Sequence, residues 1–169
     1  MTSYGVDFQY FRQPGGDLLV KEMAIIPFEK DTTPIVLLFK APYPWCRLSE
    51  KYKTKNDYIQ RNIHGIFWDS GDHDYRELGL LIRETLSDAA EVYVIGNEKK
   101  LFMERFKFKI TDITDLGYLQ IDMFKVVHFC SNHDYTSKIQ CATQNVKIMK
   151  KFMRAQLDWE DVSLEWEFA

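Results

Sequence analysis

The residues with the clearest chemical meaning lie near the end of the chain, where Cys130-Ser131-Asn132-His133 is followed by Cys141 in a C-x2-H-x7-C arrangement. A tight knuckle and the first turn of a following helix can bring three such ligands onto one cation, and thiolates with an imidazole suit Zn²⁺. Three ligands need a fourth. A closed four-ligand site leaves no position for water, so its expected work is structural: tying the irregular 114–138 connection to the last helix and contributing folding free energy. The competing reading makes the cysteines small buried apolar residues and His133 a loop histidine. A second cluster, Asp69, Asp72, His73 and Asp74, could take a hard cation, yet Asp-rich loops at helix starts are common without one and the spacing is not that of an EF-hand. No phosphate loop or nucleophile motif is present.

Three cysteines, an odd number, argue against a disulfide framework and for reduced thiols or metal ligands, which gives an intracellular expectation, cytoplasm or nucleus. Met1 is followed by polar residues, and no apolar run approaches the ~18 residues needed to cross a bilayer, so no membrane partner is expected. The 169 residues are 46% hydrophobic and 15% aromatic, enough for one substantial core and too few for two ordinary domains. One domain over 1–169 is therefore expected, with an acidic and aromatic tail at about 158–169. The net charge of -3 argues against an extended nucleic-acid-coating surface but leaves room for a local basic patch. Candidates for such a patch are Lys99, Lys100, Lys147, Lys150, Lys151 and Arg154, whose commoner role is a solvated helix face.

The elements that must position these residues follow from periodicity. Strands are expected at about 4–11, 18–27 and 34–40, joined by Pro14-Gly15-Gly16-Asp17 and Lys30-Asp31-Thr32-Thr33 as an antiparallel meander. A polar helix is expected over 48–62. Leu78, Leu81, Ile82, Thr85 and Leu86 repeat at helical spacing and predict an amphipathic helix over 75–87. Val92 to Ile95, Gly96 and 97–106 read as strand, turn and helix; a strand near 107–113 and a helix over 139–157 complete the order βββαβαβα. In that helix Ala142, Val146, Met149 and Met153 face inward. The tail from Leu157 to Phe168 alternates acidic and apolar residues, as an edge strand or as a display of Trp159 and Trp166. The predicted class is α/β, a mixed sheet with helices on both faces, since later crossovers require parallel strands.

Particular residues resemble the DEDD family of 3′-to-5′ exonucleases, which implies an RNase H-like fold. Asp7-Phe8-Gln9 stands where the family has a DxE pair. Lys21-Glu22-Met23-Ala24-Ile25 looks like its second strand, His64-Gly65-Ile66 like the tripeptide before motif two, and Glu98 lies nearest the motif-two Asp. Gln140-Cys141-Ala142-Thr143-Gln144-Asn145 matches HxAxxD. The resemblance is to a degenerate member: Gln9, Gln140 and Asn145 replace Glu, His and Asp. Two-metal hydrolysis needs carboxylates holding ions about 4 Å apart and a base for the water, which amides do not supply.

The Cys-x2-His followed by Cys-Ala is similar to Maelstrom-like domains, which act in small-RNA silencing and carry a Glu, Cys, His and Cys metal site. That resemblance implies zinc, with Cys46, behind Pro42-Tyr43-Pro44-Trp45, at the place of the family's Glu after the third strand. Cys46, Cys130, His133 and Cys141 would form the site, with His128 as the substitute fourth ligand. The pattern also looks like uncharacterised arthropod proteins associated with mobile elements. It implies a catalytically degenerate domain binding nucleic acid, single-stranded RNA among the candidates, or protein, in RNA silencing or transposon control. Two other readings fit the same residues: a zinc-containing single-strand ribonuclease, and a pure protein-protein adaptor.

Overall fold

The computed structural model describes the backbone of residues 2–118, 130–133 and 140–167, with side chains described as far as residue 156. Five strands, β1 (Thr2–Arg12), β2 (Leu18–Pro27), β3 (Ile35–Leu38), β4 (Ala89–Val94) and β5 (Ile110–Asp112), form one sheet in the order β3-β2-β1-β4-β5. The meander β1-β2-β3 is antiparallel, whereas β4 lies parallel to β1 and β5 parallel to β4. The expected mixed α/β sheet is therefore present, with β1 at its centre. The helices are α1 (Glu50–Ile59), α2 (Leu78–Thr85), α3 (Asn97–Glu104) and α4 (Ala142–Glu167), so the order is βββααβαβα and the expected βββαβαβα is corrected: two helices, the polar α1 and the amphipathic α2, fill the connection from β3 to β4.

Side-chain alternation gives the sheet two different faces. On one, Val6 and Phe8 of β1, Met23 and Ile25 of β2, and Val92 and Val94 of β4 meet Leu78, Ile82 and Leu86 of the α2 segment and Phe102 and Met103 of α3. Each fully buried aliphatic or aromatic side chain there contributes on the order of 1.5–3 kcal/mol. On the other, Ala24, Ile26 and Phe28 meet Ala142, Val146 and Met149 of α4. The same period sends Asp7, Gln9 and Glu22 to the α4 face, with Asp7 opposite Ala24 and Gln9 opposite Glu22. The register then shifts, Tyr10 pairing with Val20, so Lys21 has no residue opposite it.

Lys21 is fully buried, and its ammonium donates to the carbonyls of Trp68 (2.9 Å) and Ser70 (2.5 Å). Burial lowers its pKa to about 8. The ammonium pins the loop that closes against β3, where a side chain on Gly71 (φ 146°) would meet Lys40 N at 2.4 Å. Helix α1 is polar, and Asn56 holds it: its amide accepts from Arg12 N (2.8 Å) and donates to Arg12 O (2.9 Å) at the end of β1.

Several expected bounds shift. The helix expected over 48–62 is α1 followed by a π-turn, Gln60–His64, which ends in left-handed Gly65. The last helix starts at Ala142 and continues to Glu167, so the backbone of the tail is helical and the edge-strand expectation is corrected. Regular helix propagation explains this: nothing between 157 and 167 is a Gly or Pro that would stop it.

Candidate metal centre and adjoining cleft

Glu22, Cys130, His133 and Cys141 converge on the α4 face of β2, with one ligand atom from each lying within 4.8 Å of the others. Strand β2 presents Glu22, the knuckle 130–133 presents Cys130 and His133, and Cys141 immediately precedes α4. Glu22 Oε2 accepts from Cys130 Sγ at 2.9 Å and Asn132 Nδ2 at 3.0 Å, and lies 3.1 Å from His133 Nε2. Glu22 Oε1 accepts from Ala142 N–H at 2.8 Å, so the carboxylate also caps the start of α4. The Glu22 and His133 side chains are both fully buried.

Burial opposes the Glu22 charge, but hydrogen bonding to His133, Cys130 and Asn132 outweighs it and leaves the carboxyl below its ordinary value. The Cys141 thiol is held down, first by the Cys130 hydrogen bond and then, against burial, by His133. Cys130 is pushed up by Cys141, burial and Glu22. Burial alone would lower His133, yet Cys141 and Glu22 raise it. One carboxyl, two sulfurs and an imidazole thus share a small buried volume. One divalent cation taking their lone pairs, at ~2.3 Å from sulfur and ~2.0–2.2 Å from nitrogen and oxygen, satisfies the same groups.

The π-turn supports the cluster from behind. His133 Nδ1 bonds the carbonyl of His64, which leaves Nε2 facing Glu22 as a ligand atom. The His64 ring itself accepts from Ile66 N–H through Nδ1 (3.0 Å), so its Nε2 carries the hydrogen directed at Tyr10 O (3.2 Å). Burial lowers the His64 pKa to about 3. Next to it the Ile63 carbonyl accepts from Gln140 N–H at 2.6 Å.

Across β1 the exonuclease-like positions also assemble. Asp7, fully buried, accepts from Lys99 Nζ at 2.5 Å and Asn145 Nδ2 at 2.9 Å. Burial pushes the Asp7 carboxyl up, while Lys99 and Asn145 oppose that. Asn145 Nδ2 lies 3.5 Å from Gln140 Oε1. Gln9, Gln140, Asn97, Glu98 and Lys99 line a cleft of about 390 Å³. Glu98 turns to the rim, where Tyr10 donates at 2.6 Å and Arg12 forms a two-point pair at 2.9 Å. An ammonium, rather than Glu98, therefore faces Asp7.

Other expected residues fall elsewhere. Cys46 is exposed in the short turn Trp45–Arg47 and does not join the cluster; Glu22 stands at the fourth corner instead. His128, the substitute fourth ligand, lies outside the described residues. Asp74 caps the turn Tyr75–Glu77 by accepting from Arg76 N–H, and His73 lies 3.6 Å from Glu77, so that loop is a helix start. Lys147, Lys150, Lys151 and Arg154 line a shallow surface on α4, with Arg154 on Asp31 and Phe28 O. Lys99 belongs to Asp7, so it is no member of a solvent-facing strip.

Glu22 was legible in principle. Lys21-Glu22 interrupts an apolar strand whose ten residues are all buried, and charges in a strand covered on both faces require partners. The Lys99 position carried no such signal, because a Lys in a first helical turn is ordinary on the surface.

Fold and cluster together define an α/β domain with a candidate metal centre of mixed Glu, Cys and His donors. Comparison with protein-family models and with curated proteins finds no match.

Proposed function

We propose that the chain is an RNase H-like domain of degenerate DEDD exonuclease descent, Maelstrom-like in its metal site. It works as a non-catalytic nucleic-acid-binding module stabilised by one structural zinc. The observation that carries this reading is the Lys99 ammonium on Asp7 at 2.5 Å: the buried carboxylate around which a two-metal centre would be built already has its cation. With Gln9, Gln140 and Asn145 in place of two acids and a base, no proton acceptor stands beside it among the described residues.

The lineage is supported by the central strand β1, with its neighbour β2 alone running against it, and by the donor set. Glu, Cys, His and Cys is the Maelstrom-like combination, although Glu22 comes from β2 rather than from beyond β3. Thiolate and imidazole donors select zinc over the harder Mg²⁺ and Ca²⁺, and four protein ligands leave no open position for water. The resemblance places the module in an intracellular setting, in RNA silencing or transposon control.

The test is incubation of purified protein with single-stranded RNA in Mg²⁺ and in Mn²⁺. Binding without cleavage is expected. Cleavage abolished by Asp7→Asn would overturn the non-catalytic reading.

A further inference from the structure

The turn after Pro44, the end of α1 and the loop held by Lys21 meet around a recess of about 300 Å³. It is lined by Trp45, Asp57, Gln60, Phe67, Trp68 and Asp69, none of which lines the cleft beside Lys99. We infer that this recess is an aromatic cage for the trimethylated ammonium of a lysine side chain in a partner peptide. Its walls are rings: Trp45 stands nearly perpendicular to Trp68, at 76° with centroids 5.4 Å apart, and Phe67 forms the rim, 51% exposed. Its charges are of one sign. The Asp69 carboxylate has no hydrogen bond or ion pair among the described residues, and Asp57 shares its charge only with the exposed Arg61 at 3.1 Å. None of the six lining residues is basic. Ring faces carry the negative side of the aromatic quadrupole, so rings and carboxylates here attract the same kind of ligand, a cation.

Two features choose among cations. A bare ammonium is strongly hydrated and needs oxygen acceptors around it, whereas methylation removes its donors and leaves a bulky, apolar cation suited to ring faces. A choline lipid carries the same head but places a phosphate beside it, and that anion would meet Asp57 and Asp69. A lysine brings only an alkyl stem. The cage is also built before any ligand arrives. The Trp68 indole donates to Tyr43 O at 3.0 Å, the Trp68 carbonyl accepts from the buried Lys21 ammonium at 2.9 Å, and Phe11 packs on the Trp68 ring with centroids 5.2 Å apart. Walls fixed in this way lose little freedom on binding. The buried Lys21 thereby positions one wall of the site.

The experiment titrates the protein with an alanine-rich pentapeptide whose central residue is trimethylated lysine, unmodified lysine or the uncharged tert-butyl isostere of the trimethylated form. Binding is followed by tryptophan fluorescence and by the indole N–H signals in NMR. The trimethylated peptide should bind at least about tenfold more tightly than either of the others. Phe67→Ala, at an exposed position, should remove most of that preference while the thermal unfolding midpoint stays unchanged. Asp69→Asn should weaken the trimethylated peptide by about threefold and reduce the salt dependence of its binding. Equal binding of the charged and uncharged forms, a preference untouched by Phe67→Ala, or no binding of any of the three peptides overturns the cage. Phosphatidylcholine vesicles bound in preference to the trimethylated peptide overturn the assignment to lysine. Each of these outcomes leaves the zinc and non-catalytic readings as they stand, and RNA cleavage would overturn the latter without touching the cage.

Discussion

Asp7 and Glu22 are both fully buried carboxylates on neighbouring strands facing α4, and they are compensated in opposite ways. Asp7 is closed: one ammonium from α3 and one amide from α4 satisfy it. Glu22 is gathered with two sulfurs and an imidazole in a set that one divalent cation can unite. Gln9 stands directly across from Glu22, and Gln140 is one residue from Cys141. The two regions are therefore two solutions to the same burial problem, separated by a single strand pair. A buried charge demands a partner, but the partner decides whether the place is a salt bridge or a metal centre.

The comparison breaks most severely if the metal ligands go. Cys141→Ala should release the metal and destabilise the domain by several kcal/mol, because metal binding free energy is folding free energy. Thermal unfolding with and without a chelator measures it, and a Tm insensitive to both would remove the metal centre from the account. Next, Lys99→Met leaves Asp7 buried without its cation and should cost about 3–5 kcal/mol, most of it recovered when Asp7→Asn is added. Additive losses in denaturant titration would show that Lys99 does not answer Asp7.

A gain-of-site variant sharpens the contrast with a smaller effect. Lys99→Ala with Gln9→Glu and Asn145→Asp should let the cleft take Mn²⁺ with weak affinity in calorimetry, where the parent takes none in addition to its bound metal. The smallest effect belongs to an exposed group outside both regions. Asp74, which caps the turn before α2, has its pKa lowered to about 2 by its hydrogen bonds with Arg76. The folded value lies below the ordinary 3.8, so its contribution is present above about pH 4 and lost as pH falls toward 2. The small Tm difference between parent and Asp74→Asn should close over that window and be flat at neutral pH.

The sheet and its meander were legible because period-2 and period-3.6 apolar patterns survive in β1, β2, α2 and the first part of α4, whereas the order βββαβαβα counted one helix too few between β3 and β4. The π-turn at Gln60–His64 was not, since nothing in Gln-Arg-Asn-Ile-His distinguishes an extra residue in a turn from a regular helix end. Three members of the cluster were readable from local spacing. The fourth showed only as a buried charge in need of a partner: Glu22 is separated from Cys130 by 108 positions, and the register of β2 under α4 is what brings the two together. Cys46 was drawn in by the Maelstrom-like resemblance, which expects a ligand after the third strand, while the turn after Pro44 leaves it exposed.

The most direct test is the zinc content of the chelator-washed protein by elemental mass spectrometry, beside Glu22→Ala and Cys46→Ala. One equivalent in the parent and in Cys46→Ala, lost in Glu22→Ala, is the predicted result. No zinc in the parent, or a loss that follows Cys46 and spares Glu22, would contradict the account.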